Sequence, residues 1–231
     1  MNRELFLPTW VHACHTPDGL IFLDVRNDVY FGLDASQVAA LEAAPPGSAD
    51  SSATVDSIVN DLLERGLLTR DTGQSKPFRP TMRATPDTLL VSQSGFGRPN
   101  LRTTHVVRFL LSLLTMWILL RWGSLERALG RLERANPRLT RRHDPWQLEE
   151  ASELLRAFVY LRPIFYAARD NCLFDSLTLA DYMHRFAIPA TCVFGVKTLP
   201  FEAHCWVQID RYLIHDQTPE AISTFSPILY V

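Results

Sequence analysis

Apolar positions along the chain change their spacing several times, and each change marks an element. Short apolar or alternating runs at 11–14, 20–24 and 29–32 predict three strands, with Pro17-Asp18-Gly19 and Arg26-Asn27-Asp28 as the turns between them. Asp34 is placed as the N-cap of a helix running to about residue 43, which Pro45-Pro46-Gly47 ends. Val55, Ile58, Val59, Leu62 and Leu63 then recur at helical spacing, so a second helix is expected over about 54–65 with Gly66 as its C-terminal cap. Residues 67–69 return as an edge strand.

Residues 71–100 are rich in Pro, Gly, Ser and Thr, and Pro77, Pro80, Pro86 and Pro99 interrupt regular structure, so this stretch reads as a linker between residues 1–70 and 101–231. Beyond it the spacing is helical: an apolar helix from about 103, a helix over 124–135 capped by Ser124, and a third from about 145 that Pro163 kinks or splits. The last sixty residues predict a helix over 172–186, then strands at 191–196, 204–209 and 212–216. The most apolar stretch, 109–120, spans only about a dozen residues where a bilayer crossing needs roughly twenty. It is therefore expected to be a buried core helix and not a transmembrane span, with a docking surface as the alternative.

Composition narrows the function without naming it. The 231 residues are 47% hydrophobic and 21% charged with a formal net charge of −2, ordinary values for a chain that buries a core. That balance offers no general electrostatic attraction to nucleic acid or to an anionic membrane. The first nine residues lack the basic start and apolar core of a secretory signal, which places the protein in the cytoplasm. Four cysteines, Cys14, Cys172, Cys192 and Cys205, show no CxxC pair and no metal-ligand spacing. Each is thus a small buried hydrophobe or a working thiol.

Position separates them. Cys172 opens a predicted helix, where unpaired amides and the positive end of the helix dipole favour thiolate and lower a thiol's pKa. The same amides can donate to an oxyanion. His204, on a downstream strand, is the candidate base, and Asp216 on the next strand is the candidate orienting group. Register tests the third member: a two-residue turn at Asp210-Arg211 pairs Ile209 with Tyr212 and His204 with Gln217, turning Asp216 to the other face. The triad therefore predicts a three-residue loop or a bulge, and without one His215 or Gln217 becomes the neighbour of His204.

The run Asn171-Cys172-Leu173 with Ser176, followed by Ala203-His204-Cys205-Trp206-Val207 and Asp216, resembles the B protein of lasso peptide biosynthesis over about 146–231. Arg211 stands where that family often has Gly, and Cys205 where it often has Ala. The resemblance implies an α+β fold with a transglutaminase-like or papain-like cysteine peptidase domain. It also implies a leader peptidase activity with Cys172, His204 and Asp216 as catalytic residues, no cofactor in this chain, and an ATP-dependent, asparagine-synthetase-like cyclase as partner. No phosphate-binding glycine loop is visible, so any ATP dependence belongs to that partner. Residues 1–70 resemble the winged-helix-like precursor-recognition element of peptide-modifying systems. Such elements bind an extended leader by strand addition. By that likeness Val29, Tyr30, Phe31 and Gly32, with Asp56, Val59, Asn60 and Leu63 of the second helix, form the leader groove.

Other readings attach to the same residues. Cys14, Cys192 and Cys205 lie in apolar contexts and are expected in the core, Trp206 beneath the site, and His184 on a solvated helix face. Asn171 is expected to cap the helix, with an oxyanion donor as the alternative. An escort that carries precursor without cleaving it and a transglutaminase-type acyl transferase are the rival functions.

Overall fold

The computed structural model describes residues 5–43, 53–77, 86–90, 99–135, 145–167, 171–214 and 218–231. The chain divides into two compact units: Met1–Met82 with Val196–Glu202 and Ser226–Leu229, and Arg83–Gly195 with Ala203–Phe225 and Tyr230–Val231.

In the first unit β1 (Leu7–Pro8) precedes a meander of β2 (Val11–Thr16), β3 (Gly19–Asp24) and β4 (Val29–Asp34), then α1 (Ala35–Ala43), α2 (Ala53–Glu64) and β5 (Ser75–Lys76). The meander is antiparallel in the order β2-β3-β4, with Cys14 opposite Ile21 and Phe22 opposite Phe31. Asp24 shapes the second turn, its carboxylate accepting the amides of Arg26 at 2.9 Å and Asn27 at 3.2 Å. At the start of α1 the backbone N–H of Gln37 donates to Asp34 while the Gln37 side chain accepts the Asp34 N–H, a reciprocal cap. Gly66, at φ +69°, ends α2 in the left-handed region. Val11, Leu20, Phe22, Leu33, Leu62 and Leu67 form the core between sheet and helices. Strand β4 lies at an edge of the meander.

The second unit holds β6 (Thr88–Leu89), α3 (Thr103–Trp122), α4 (Leu125–Ala135), α5 (Pro145–Leu161), α6 (Cys172–His184), most of β7 (Thr191–Thr198) and of β8 (Phe201–Ile209), β9 (Tyr212–Leu213) and α7 (Pro219–Ile222), while β10 (Ser226–Tyr230) falls in the first but for its last residue. The sheet runs β10-β7-β8-β9-β6. The stretch read as a linker thus carries two short strands, β5 and β6. Two residues of pairing suffice for each because the partner strand supplies the bonds, and no local propensity is required. Ser124 caps α4 as expected, its hydroxyl accepting the Arg127 N–H at 3.3 Å. Helix α5 gives way to a 3₁₀ turn at Arg162–Ile164, where Pro163 lacks the N–H to continue it.

Helix α6 is buried on every side from Asp175 to His184 and packs against α3, α4 and α5. Its two internal carboxylates are matched by guanidinium groups. Asp181 meets Arg131 of α4 at 3.1 Å and Arg185 at 2.7 Å, and Arg185 also donates to Ser112 and Thr115 of α3. His184 was expected in solvent but is buried, one ring nitrogen 2.7 Å from the Ala190 carbonyl. The reason is that α6 has no solvent face. The expectation for 109–120 also needs correction, because α3 is buried along only one stripe, His105, Phe109, Ser112 and Met116, while Leu110, Leu111, Leu114, Trp117 and Ile118 face outward. By length and composition alone α3 could cross a membrane; the buried stripe packs it on α6.

Candidate functional site

Cys172 is the first residue of α6 and is half-buried. The helix is pinned at this end by a side chain one turn on, where the Ser176 hydroxyl donates to the backbone carbonyl of Cys205 at 2.9 Å. That bond fixes the nucleophile-bearing turn against β8 at the residue that follows His204. A second clamp grips the same turn from the other flank. Asp175, fully buried, accepts from Arg162 at 2.9 Å and from the Tyr166 hydroxyl at 2.6 Å. Burial, reinforced by the Asp175 charge, pushes the Tyr166 phenol up, so it stays a proton donor to that carboxylate.

The electrostatics of the thiol differ from the sequence expectation. Burial, and then the neighbouring Cys205 thiol, push the Cys172 pKa above its ordinary value, against the opposing pull of the backbone amides of Leu173, Cys205 and Cys172 itself. The helix terminus does favour thiolate as anticipated, but desolvation outweighs it. Ionisation therefore needs a base or a paired cation.

His204 is half-buried, its Nε2 fully enclosed. Side chains at 204, 206 and 208 share one face of β8. The imidazole stacks on Trp206 at 6.3 Å between centroids and 18° between planes and meets Phe225 at 5.5 Å. Trp206 in turn donates through Nε1 to the Gln208 side chain at 2.9 Å. Gly195 makes room for this stack, since a Cβ there would stand 2.5 Å from the Trp206 ring. Trp206 is packing beneath the site, as expected.

The remaining cysteines are core. Cys192 and Cys205 are buried with their sulfur atoms 3.2 Å apart as free thiols. Cys14 is buried in the first unit, its thiol pushed up to about 12 by desolvation.

Asn171 occupies the N-cap position but its side chain does not cap; it is exposed and donates to the Ala167 carbonyl at 3.3 Å. The hairpin turn is also simpler than the triad reading required. Ile209 pairs with Tyr212 and Gln208 with Leu213, a two-residue turn at Asp210-Arg211, and the Ile214 N–H donates to Val207 at 3.0 Å. Asp210 takes φ +53°, and Arg211 is held by Asp87 at 2.9 and 2.8 Å, so the turn closes without a third residue. Asp216, with His215 and Gln217, lies outside the described residues.

In the first unit, Val29 is 53% exposed, Tyr30 and Phe31 are half-buried and Gly32 is exposed. On α2, Asp56 and Asn60 are exposed, Leu63 is half-buried, and Val59 turns inward to line an apolar cavity of about 220 Å³ with Phe22, Leu41 and Leu62. Among the described residues no cluster of His, Cys, Asp or Glu could hold a metal ion.

Ser176 belongs to the motif around Cys172, but its bond to β8 and the clamp of Arg162 and Tyr166 on Asp175 become visible only in the fold. The four-residue step from Cys172 to Ser176 was a usable signal, since residues at that spacing share a helix face. Nothing in the local pattern marks Arg162 or Tyr166.

A helix that opens on a cysteine and is bonded to a histidine strand of a mixed sheet is an arrangement suited to thiol chemistry. The family model of the transglutaminase-like superfamily matches residues 111–230, just over half of the chain, and the chain belongs to that superfamily. Members are typically cysteine peptidases or acyltransferases, and that kind of activity is supported here. No curated protein and no solved structure is a match.

Proposed function

We propose that this protein is a cysteine peptidase that removes the leader from a ribosomally made precursor, in the manner of the lasso peptide B proteins it resembles. The observation that carries the reading is the Ser176 bond to Cys205, which holds the turn bearing Cys172 against the strand bearing His204. In this reading His204 takes the Cys172 proton, and the thiolate attacks the carbonyl that precedes the core peptide. The amides at the start of α6 receive the oxyanion, since Asn171 spends its side-chain donor on Ala167. The C–N bond breaks as the imidazolium protonates the departing amine, and water releases the leader from the thioester. Asp216 orients His204, with His215 or Gln217 as the alternatives that a continued two-residue register favours.

The first unit acts as the winged-helix-like recognition element. Support comes from β4, which lies at an edge of the three-stranded meander, the position at which an extended leader can add as a fourth strand. Tethering then raises the local concentration of the scissile bond. The freed core passes to the asparagine-synthetase-like cyclase in the cytoplasm.

The test is the fragment masses produced when the purified protein meets the linear precursor. Cleavage at one bond, lost in Cys172→Ala with leader binding retained, supports the reading, and persistent cleavage refutes it. Transfer of the acyl group to an added amine, read as product mass, would identify an acyltransferase instead. Burial pushes the Cys172 thiol up, so alkylation by iodoacetamide that begins below the ordinary thiol range in the native protein is the result expected only if His204 holds it as thiolate against that push. The onset should move above that range in His204→Ala.

A further inference from the structure

Beside the Cys172 turn the second unit opens into an apolar cavity of about 590 Å³. Leu113, Leu114, Trp117 and Leu120 of α3 form one wall, and Phe165 with Phe174 forms the other. The volume lies within the range of sites that enclose a small-molecule group. Asn171 lines the cavity as well. Asn171 at the N-cap and Phe174 in the first turn of α6 therefore flank the nucleophile in the chain, within one helical turn, roughly 5 Å of axial rise.

Two further features mark this as a built site. Phe174 is set edge-on against Tyr166 at 5.1 Å, and Tyr166 is itself tied to Asp175, so the wall beside Cys172 is rigid before any ligand arrives. Trp117 leaves 45% of its surface exposed on the opposite wall, although the helix that carries it has a fully buried stripe available. Arg121 stands at the rim, and among the described residues it joins no ion pair.

We propose that this cavity is the specificity pocket of the peptidase and receives one bulky apolar side chain, aromatic or branched aliphatic, of the peptide substrate close to the scissile bond. The proposal rests on the peptidase reading. A peptide is the occupant because Asn171 and Phe174, which stand before and after the attacking thiol in the chain, both line the cavity. Arg121 sets a second preference at the mouth, against a lysine or arginine beside the apolar residue and in favour of an acidic one.

The experiment uses the full chain and synthetic precursor peptides in which each residue near the cleaved bond is replaced singly by alanine. One apolar position is expected to stand out, its alanine peptide falling about ten- to a hundredfold in kcat/KM. Trp117→Ala should erase that difference by slowing the parent peptide to the level of the alanine peptide. Leu114→Trp, which fills the cavity from its wall, should instead make the alanine peptide the better substrate. In both variants iodoacetamide should alkylate Cys172 at the native rate, which separates pocket loss from unfolding. Equal cleavage of all the peptides by the native protein overturns the pocket and leaves the peptidase standing, as does uniform slowing of every peptide by Trp117→Ala with alkylation unchanged. Cleavage that survives Cys172→Ala overturns the peptidase reading, and the pocket with it.

Discussion

Helices α3 and α6 lie against each other and reverse the usual distribution of residues. Helix α3 reads as almost continuously apolar yet presents Leu110, Leu111, Leu114, Trp117 and Ile118 to the outside. Helix α6 carries two aspartates, a serine, a threonine and a histidine, and is buried throughout its last ten residues. The difference follows from what each helix must hold. The helix with the thiol needs a fixed orientation, and buried carboxylates matched to arginines are directional where apolar contacts are not. Apolar residues left outside on α3 cost exposure, and part of that exposure is the wall of the cavity beside Cys172.

The sharpest way to break this contrast is to remove a carboxylate from α6. Asp175→Ala leaves Arg162 and Tyr166 without their partner and should cost about 3–5 kcal/mol in urea unfolding. Replacing Arg162 and Asp175 together by Met and Leu should restore most of the stability while lowering whatever activity depends on Cys172, if direction is what the pair supplies. On α3 the two faces should answer differently: Met116→Ala, on the buried stripe, should cost about 2–5 kcal/mol. Ser176→Ala frees the buried Cys205 carbonyl and should cost about 1–3 kcal/mol, with a larger fall in kcat than in binding of precursor.

A smaller effect is expected from acid. Burial lowers the His184 pKa, so the folded protein prefers the neutral ring. A group depressed in the folded state contributes its stability in full above its unfolded value, near 6.5, and loses it as pH falls below that value. The thermal midpoint should therefore drop between about pH 7 and 5, and the slope should flatten in His184→Gln. Least of all, Leu111→Gln on the outer face of α3 should change stability by no more than about 0.5 kcal/mol while improving solubility.

Much of the fold could be read from periodicity. The strands near 11, 20 and 29, the caps at Asp34, Ser124 and Gly66, and the break at Pro163 are local events in which a few neighbouring residues satisfy one another's hydrogen bonds. Strands β5, β6 and β10 escaped notice because their bonds are supplied by partners distant in sequence. In the candidate site, Cys172 and His204 could be read from residue type and element order. The clamp of Arg162 and Tyr166 on Asp175 could not, because arginine and tyrosine are equally at home on a surface.

The sequence alone determined where most helices and the first three strands lie, and which thiol stands at a helix terminus, since both depend on neighbours within a few residues. Tertiary structure decided which helix would be enclosed, which way the Cys172 pKa would move, and that the β8–β9 turn would close in two residues. Burial is a property of the assembled surroundings, and the desolvation it imposes on Cys172 outweighs the amides at the helix start that oppose it.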